Sequence, residues 1–269
     1  YIDKKYNKKI IEKKNFLNLY NEIKPDIILN SIAYTKVDNA EKNNEAFIIN
    51  SNFIEEIGKI ISSETLFIHF STDYVFDGLK KNPYLITDNP KPINNYGKSK
   101  LEGEKYMQKL MNNYIIIRTS ALFSSSGTNF VKKMCELINN NKEINVVNDQ
   151  YFVPTPCEDL ANIVYKILLN YNKNDIYKDL FHFVGSGRSL SWYEFAKLIN
   201  KNLGLRNKIT SISSYELNLP AKRPKYSVLS DKLIRNKYSF EEQSWEIFLQ
   251  HVIKEIKSWY RIFSFLVYL

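Results

Sequence analysis

Tyr96 and Lys100 lie four residues apart in the segment Tyr-Gly-Lys-Ser-Lys. If a helix begins here, this spacing places both side chains on one face of it, with an ammonium beside a phenol. A free tyrosine titrates near pH ~10, and a cation within about 4–6 Å lowers that pKa. We therefore predict that Tyr96 is a general acid whose pKa Lys100 lowers. The pair alone is weak support, because Tyr-x-x-x-Lys is a common spacing.

A pair of hydroxyl groups upstream of Tyr96 strengthens this interpretation. Residues 67–70 form an apolar run, typical of a buried strand, and Ser71 and Thr72 follow it. Ligands of α/β folds bind beyond the carboxyl ends of the strands, so Thr72 is placed where a site would form. Its hydroxyl can hydrogen-bond the same substrate oxygen that Tyr96 protonates. Thr72, Tyr96 and Lys100 together suit the reduction of a carbonyl group.

Strand and helix patterns alternate around these residues up to about residue 185. The hydrophobic spacing predicts helices at 16–23, 44–63, 158–169 and 243–260, and strands at 27–30, 114–118 and 180–184. Thr128 is predicted to cap a further helix. The alternation predicts an α/β fold with a doubly wound, mostly parallel sheet. The helices and short strands that follow are predicted to form a smaller C-terminal substrate lobe.

The composition limits the class of function. The chain has 269 residues, a net charge of +9, two cysteines and three histidines. Its lysines are mixed with acidic residues and no nucleic-acid-binding module is visible, so we expect no nucleic-acid partner. Cys135 is predicted to be a buried thiol, and the cysteine and histidine spacing indicates no disulfide framework and no metal site. Without a signal peptide or a run of ~20 apolar residues, we expect a cytoplasmic protein with no membrane partner.

Two motifs carry a family resemblance. Residues 71–78 read Ser-Thr-Asp-Tyr-Val-Phe-Asp-Gly, and residues 95–104 read Asn-Tyr-Gly-Lys-Ser-Lys-Leu-Glu-Gly-Glu. They resemble the extended short-chain dehydrogenase/reductase family, and within it the dTDP-4-dehydrorhamnose reductases. The similarity extends from about residue 24 to about residue 245. It implies a Rossmann-like dinucleotide-binding domain over residues 1–150 and a mainly sugar-nucleotide-binding lobe over 151–269, interleaved with the first.

The resemblance also implies a reaction. NADPH or NADH would reduce the 4-keto group of dTDP-4-dehydro-L-rhamnose to dTDP-L-rhamnose, a step of cell-surface polysaccharide biosynthesis. Tyr96 would protonate the C4 oxygen, Lys100 would lower the tyrosine pKa and hold the cofactor ribose, and Thr72 would orient the carbonyl. The other residues to which the resemblance gives a role are Ala33, Tyr34, Thr35 and Ser71 for the cofactor, and Asp73, Tyr74 and Arg223 for the substrate. Arg223 would clamp the diphosphate with its planar fork.

The sequence also departs from the family pattern. Ala121 stands where the rhamnose reductases have a tryptophan that lines the sugar, and Phe152 replaces a usual glycine. Lys9 and Ile10 stand where the family often has Asp and a hydrophobic residue near the adenine. The chain begins without the strand, glycine-rich turn and helix that open such folds, and its first glycine is Gly58. We therefore expect that the first ~30 residues of the family pattern are missing and that the first βαβ unit is incomplete.

Several alternatives stay open at this point. A non-catalytic member of the fold, resembling the regulatory β subunit of methionine adenosyltransferase, would fit the missing tryptophan. A sugar-nucleotide epimerase or dehydratase would fit the acidic Asp73 beside Thr72. A chain without a pyrophosphate anchor would be inactive. The sequence does not distinguish NADH from NADPH, and it allows a homodimer without specifying one.

Overall fold

The computed structural model describes residues 13–140, 143–241 and 243–266 of the protein. The strands of this part of the chain are β1 (Ile27–Asn30), β2 (Leu66–Thr72), β3 (Tyr114–Thr119), β4 (Leu122–Phe123), β5 (Ile144–Val147), β6 (Tyr151–Phe152), β7 (Thr155–Pro156), β8 (Lys178–His182), β9 (Leu190–Ser191) and β10 (Ile209–Ile212). The helices are α1 (Lys13–Ile23), α2 (Glu45–Phe47, a π-helical segment Ile48–Asn52, then Phe53–Gly58), α3 (Asn95–Leu110), α4 (Phe130–Asn139), α5 (Cys157–Leu169), α6 (Trp192–Leu203), α7 (Ser214–Leu217), α8 (Lys232–Lys237) and α9 (Trp245–Leu266).

The largest sheet is parallel and has the order β1-β2-β3-β8. Strand β3 is buried along its whole length, as expected for a β-branched run that helices cover on both faces. In the register, Thr72 at the end of β2 lies opposite Thr119 at the end of β3. The polar residues that follow these strands therefore meet at one edge of the sheet. The predicted α/β class with a mostly parallel sheet is confirmed.

Helix α3 lies close to its neighbours because two of its residues lack a side chain. A Cβ on Gly97 would lie 2.1 Å from the backbone oxygen of Tyr74, and one on Gly103 would lie 2.1 Å from that of Asn50. The helix begins where the sequence predicted, with the Asn94 side chain accepting a hydrogen bond from the Gly97 N–H. Helix α3 is thus held against the end of β2 and against the π-helical segment of α2.

The second half of the chain contributes to both parts of the fold. Strand β8 lies beyond residue 150 and completes the large sheet, whereas β10 pairs in parallel with β5. A core formed by α4, α6 and α9 lies under these smaller sheets and includes the buried Cys135 and Trp245. None of the helices in the described ranges combines the length and apolar character that a membrane crossing requires. The division into lobes near residue 150 stays a prediction.

Some predicted boundaries need correction. Helix α2 ends at Gly58 instead of residue 63, and its middle turn is π-helical. The N-cap of α4 is Asn129, not Thr128, because the Asn129 side chain accepts from the backbone N–H of Lys132. Helix α9 runs on to Leu266, well past the predicted end. The departure predicted at Lys9 and Ile10 lies outside the described residues.

Candidate active site

A cavity of about 550 Å³ opens at the carboxyl ends of β1, β2 and β3. This is the edge at which open α/β sheets bind their ligands. The predicted site residues that line it are Ala33, Thr35, Ser71, Thr72, Asp73, Tyr74, Tyr96 and Lys100. Tyr34 and Arg223 do not line this cavity. The fold therefore assembles the predicted catalytic residues in one place.

Thr72 is the last residue of β2 and connects the strand to the site. Its hydroxyl accepts a hydrogen bond from the Tyr74 N–H at 3.2 Å and donates to Asp73 Oδ1 at 3.1 Å. The phenol of Tyr96 lies near enough to this hydroxyl for Thr72 to affect its pKa. A threonine hydroxyl and a tyrosine hydroxyl are thus presented together at the cavity wall. Two hydroxyls could donate to one carbonyl oxygen here once the Thr72 O–H turns from Asp73 into the cavity.

Tyr96 lies in the first turn of α3. Desolvation raises the pKa of its phenol to about 12, the nearby Thr72 hydroxyl lowers it, and the Asp73 charge raises it further. At neutral pH the phenol therefore carries its proton and is ready to donate it. The Lys100 charge is not among the causes of this pKa shift.

Lys100 is directed into the protein. Its side chain is 1% exposed, and Nζ lies 2.9 Å from His69 Nε2 and 2.6 Å from the Phe70 carbonyl oxygen. Burial lowers the Lys100 pKa to about 8, and the nearby Glu104 charge offsets part of this effect. The expectation that the ammonium lies beside the phenol and lowers its pKa stays a prediction that these contacts do not favour. A buried Nζ requires hydrogen-bond partners, and strand β2 supplies them.

Asp73 is the acidic residue of the site. It is buried, and its Oδ2 accepts a hydrogen bond from Ser120 Oγ at 2.9 Å. Burial raises its pKa to about 6, although side-chain hydrogen bonds from Ser227, Ser120 and Thr72 lower it. The carboxylate thus fixes the direction of the Thr72 hydroxyl. Asp73 changes charge closer to neutral pH than an exposed aspartate does.

Ser71 is bound to the protein interior. Its hydroxyl donates to the buried carboxylate of Glu104, which also pairs with Arg118 Nη2 at 2.6 Å. This network ties the end of β2 to α3 and β3. The single O–H of Ser71 is used by Glu104, so its predicted contact with a cofactor stays a prediction that the geometry does not favour.

The loop after β1 supplies the wall predicted to hold the cofactor. Asn50 fixes this loop: its Oδ1 accepts from the Tyr34 N–H at 2.8 Å, and its Nδ2 donates to the Tyr34 carbonyl at 3.0 Å and to Ser99 Oγ at 3.0 Å. The Tyr34 side chain is 8% exposed and packs on Ala40 and Ala46. Tyr34 therefore shapes the loop from behind and is not part of the cavity wall.

Arg223 lies in a neighbouring cavity of about 630 Å³, which shares Gln150 with the first. Its guanidinium is already paired with Asp38, with Nη1 to Oδ1 at 2.8 Å and Nη2 to Oδ2 at 2.6 Å. This hydrogen-bonded pair lowers the Asp38 pKa. In this structure Arg223 joins the loop after β1 to the segment at 220–224. Its predicted contact with a diphosphate stays a prediction.

Aromatic side chains from the second half of the chain line part of the first cavity. Phe152 and Trp192 both line it, with ring centroids 3.9 Å apart. Ala121 lines the same wall and has a left-handed backbone with φ of +44°. The Phe152–Trp192 pair thus supplies apolar ring surface that Ala121 does not.

The cavity also has features that fit a dinucleotide. Thr119 lines it and has a buried hydroxyl without a hydrogen-bond partner among the described residues, so this group is available to a ligand. The small Ala33 leaves room beside it. These features suit the nicotinamide end of a dinucleotide. In the part of the chain that the structure describes, no group of three or more His, Cys, Asp or Glu side chains could hold a metal ion.

Sequence reasoning missed several residues that support the site. His69, Asn30 and Ser120 are buried polar residues next to the predicted ones, and Glu104 forms a buried ion pair with Arg118. A polar side chain within or at the end of an apolar strand was the available signal, as at His69 and Asn30.

Comparisons with known proteins agree with this geometry. The sequence profile for the RmlD substrate binding domain matches residues 4–258. The dTDP-4-dehydrorhamnose reductase of Escherichia coli K12 is 35% identical over 243 residues, which cover 87% of this chain and 81% of that protein. The enzyme of the same name from Sinorhizobium fredii is 39% identical over 231 residues, or 82% of this chain and 77% of that protein. The crystal structure of the Bacillus anthracis dTDP-4-dehydrorhamnose reductase in complex with NADP is 35% identical, with a TM-score of 0.83 over 91% of this chain and 86% of that one.

Proposed function

The chain belongs to the family of the RmlD substrate binding domain, and we propose that it reduces dTDP-4-dehydro-L-rhamnose to dTDP-L-rhamnose with NADPH. The three relatives compared above are named dTDP-4-dehydrorhamnose reductases, and one of them was crystallised with NADP. The observation that carries the proposal is that Thr72 and Tyr96 line the same cavity at the end of β2, together with Lys100. This step belongs to the biosynthesis of rhamnose-containing polysaccharides.

Different residues of this chain would bind the cofactor and the substrate. Bound NADPH supplies the hydride. Ala33, Thr35 and the Thr119 hydroxyl would hold its nicotinamide end. Thr72 and Tyr96 would bind the C4 oxygen of the sugar, and Tyr96 would give that oxygen its phenolic proton.

The remaining residues of the site keep these two hydroxyls in place. In this structure the Thr72 hydroxyl donates to Asp73, and this O–H would turn from Asp73 to the C4 oxygen when the sugar binds. Phe152 and Trp192 would contact the apolar face of the sugar ring. The second cavity is also lined by Lys222 and Lys225, whose ammonium groups would attract a nucleoside diphosphate.

The test is a reaction that distinguishes a reductase from its fold relatives. The protein is incubated with NADPH and dTDP-4-dehydro-L-rhamnose, and both NADPH consumption and the sugar product are measured. A reductase consumes one NADPH for each dTDP-L-rhamnose that appears. An epimerase or dehydratase returns the hydride, so a changed sugar without net NADPH consumption would contradict the proposal. If no dTDP-L-rhamnose is formed and no NADPH is consumed, the result would favour a regulatory member of the fold.

The oligomeric state and the cellular location of the protein are predicted from the sequence alone. A nucleotide sugar as the substrate class agrees with the family. The homodimer and the cytoplasmic location stay predictions, and light scattering of the purified protein would test the first of them.

A further inference from the structure

A continuous line of hydrogen bonds runs behind the site from the loop after β1 to Lys100. The Ile32 N–H donates to Asn30 Oδ1 at 3.0 Å, and Asn30 Nδ2 lies 2.9 Å from His69 Nδ1. On the other side of the ring, His69 Nε2 lies 2.9 Å from Lys100 Nζ. Nζ also donates to the Phe70 carbonyl at 2.6 Å. Asn30, His69 and Lys100 are 5%, 0% and 1% exposed, so water does not compete for these groups.

The direction of this line is fixed at its start. A backbone N–H can only donate, so the atom that faces Ile32 must be the oxygen of the Asn30 amide. The Asn30 NH₂ group then faces His69 Nδ1, which must accept. A neutral imidazole that accepts at Nδ1 carries its proton on Nε2. That N–H points at Lys100 Nζ and meets the lone pair of an uncharged amine.

The opposite direction would break a hydrogen bond in the interior. If a Lys100 ammonium donated to His69 Nε2, the His69 proton would lie on Nδ1 and face the Asn30 NH₂ group. Turning the Asn30 amide over would only move the conflict to the Ile32 N–H. A buried pair of opposed donors costs about 1–3 kcal/mol.

The charged and titratable groups around Lys100 come from every element that packs on it. On α3 these are Tyr96 and Glu104, and Glu104 is paired with Arg118 of β3. On and after β2 they are His69 and Asp73, and β1 has no ionisable side chain. Complete burial holds the His69 pKa well below its ordinary value, so the ring is neutral. The Glu104 charge favours the ammonium, and His69 is the neighbour that opposes it.

We propose that His69, held by Asn30 as the Nε2–H tautomer, is the positioning residue for Lys100. Its N–H directs Lys100 Nζ toward the end of β2 and favours the uncharged amine, so that Lys100 gains and loses a proton near the working pH. The consequence for turnover rests on the proposed reductase function. The tautomer itself does not.

The tautomer can be observed directly. The chain has three histidines, so ¹⁵N-labelled imidazoles give three sets of signals that single His→Gln variants assign. His182 is an internal control of the opposite kind, because its Nδ1 lies 3.1 Å from the Tyr84 carbonyl oxygen and must donate there. We expect His69 in the Nε2–H form and His182 in the Nδ1–H form. An Nδ1–H signal for His69 would overturn the proposal whatever the enzyme activity is.

A second experiment tests the effect on Lys100. Asn30→Asp replaces the NH₂ donor by a second acceptor, so the His69 proton should move to Nδ1 and the freed Nε2 lone pair should stabilise a Lys100 ammonium. We expect the alkaline limb of the kcat/KM profile to move up by about one pH unit, a tenfold gain in proton affinity. His182→Gln should leave that limb in place.

The double variant Asn30→Asp/His69→Phe separates this route from plain charge attraction. If the introduced carboxylate acts through the ring, removal of the ring should abolish most of the shift. A shift of equal size in the double variant, or no shift in Asn30→Asp, would overturn the proposal. If Asn30→Asp does not fold, the His69 tautomer observed in the wild-type protein still tests the proposal.

Discussion

Replacement of Tyr96 by phenylalanine removes one oxygen atom from the cavity and leaves the ring in place. The Tyr96 ring makes an edge-to-face contact with Tyr74, with centroids 6.0 Å apart. The ring contact survives in Tyr96→Phe, so the start of α3 should not move. The variant therefore isolates the loss of the phenolic proton.

The size of the effect follows from the protonation state of the phenol. With a pKa raised to about 12, ionisation of Tyr96 at pH 7 costs about 7 kcal/mol, so the residue acts as an acid. Without it the charge that develops on the C4 oxygen is met by Thr72 alone. A positioned general acid contributes about 10²–10⁴ in rate, or about 3–5 kcal/mol. We expect kcat to fall by this factor while the dissociation constant of the sugar nucleotide changes less than about threefold.

The assay compares three proteins under single-turnover conditions with NADPH and dTDP-4-dehydro-L-rhamnose. The matched control is Tyr238→Phe, since Tyr238 is 7% exposed, has a pKa raised to about 12 by burial and lies outside both cavities. Its kcat should equal that of the wild type. A Tyr96→Phe enzyme within tenfold of wild-type kcat would refute the reasoning, because the proton would then come from another group.

Two further predictions concern buried charge. The Asp73 pKa is raised from 3.8 to about 6, so between these two pH values the folded state binds more protons than the unfolded state. The free energy of unfolding therefore falls by about 3 kcal/mol as the pH rises from 3.8 to about 6, and it stays lower at higher pH. Asp73→Asn should remove this dependence and raise the unfolding free energy at pH 7 while it lowers turnover; equal pH dependence in urea melts of both proteins would contradict this. Arg118→Met leaves the Glu104 carboxylate buried and unpaired and should cost about 3–5 kcal/mol in urea unfolding. The exposed pair of Arg188 with Glu246 is its control, and Arg188→Met should cost less than about 1 kcal/mol.

The parts of the fold that the sequence predicted well are those with a strong local period. Strand β1 has the predicted bounds, and α3 begins beside Tyr96 as expected. Ser191 and Glu194 have the three-residue spacing of a capping box in the sequence, and the box is present at the start of α6. These features depend on neighbours within a few residues, so the sequence contains the information that is needed.

The partners of the site side chains were predicted less well. Lys100 was expected beside Tyr96 and contacts His69, and Ser71 was expected at the cofactor and bonds Glu104. In both cases the local spacing is as predicted, but a buried polar group takes the nearest partner that the packed sheet offers. Helical spacing gives a face of the helix and does not give the residue that this face meets.

The sequence by itself determined which residues stand at the ends of β2 and at the start of α3, because strand and helix periods are local. Only the tertiary structure decided that Arg223 pairs with Asp38, 185 positions away, and that Phe152 and Trp192 share a wall with Ala121. The direction of the hydrogen bonds through Asn30 and His69 also depends on the register of two strands that are far apart in the chain. Such contacts form only when the sheet closes, since their free energy comes from excluding water from groups that no local pattern brings together.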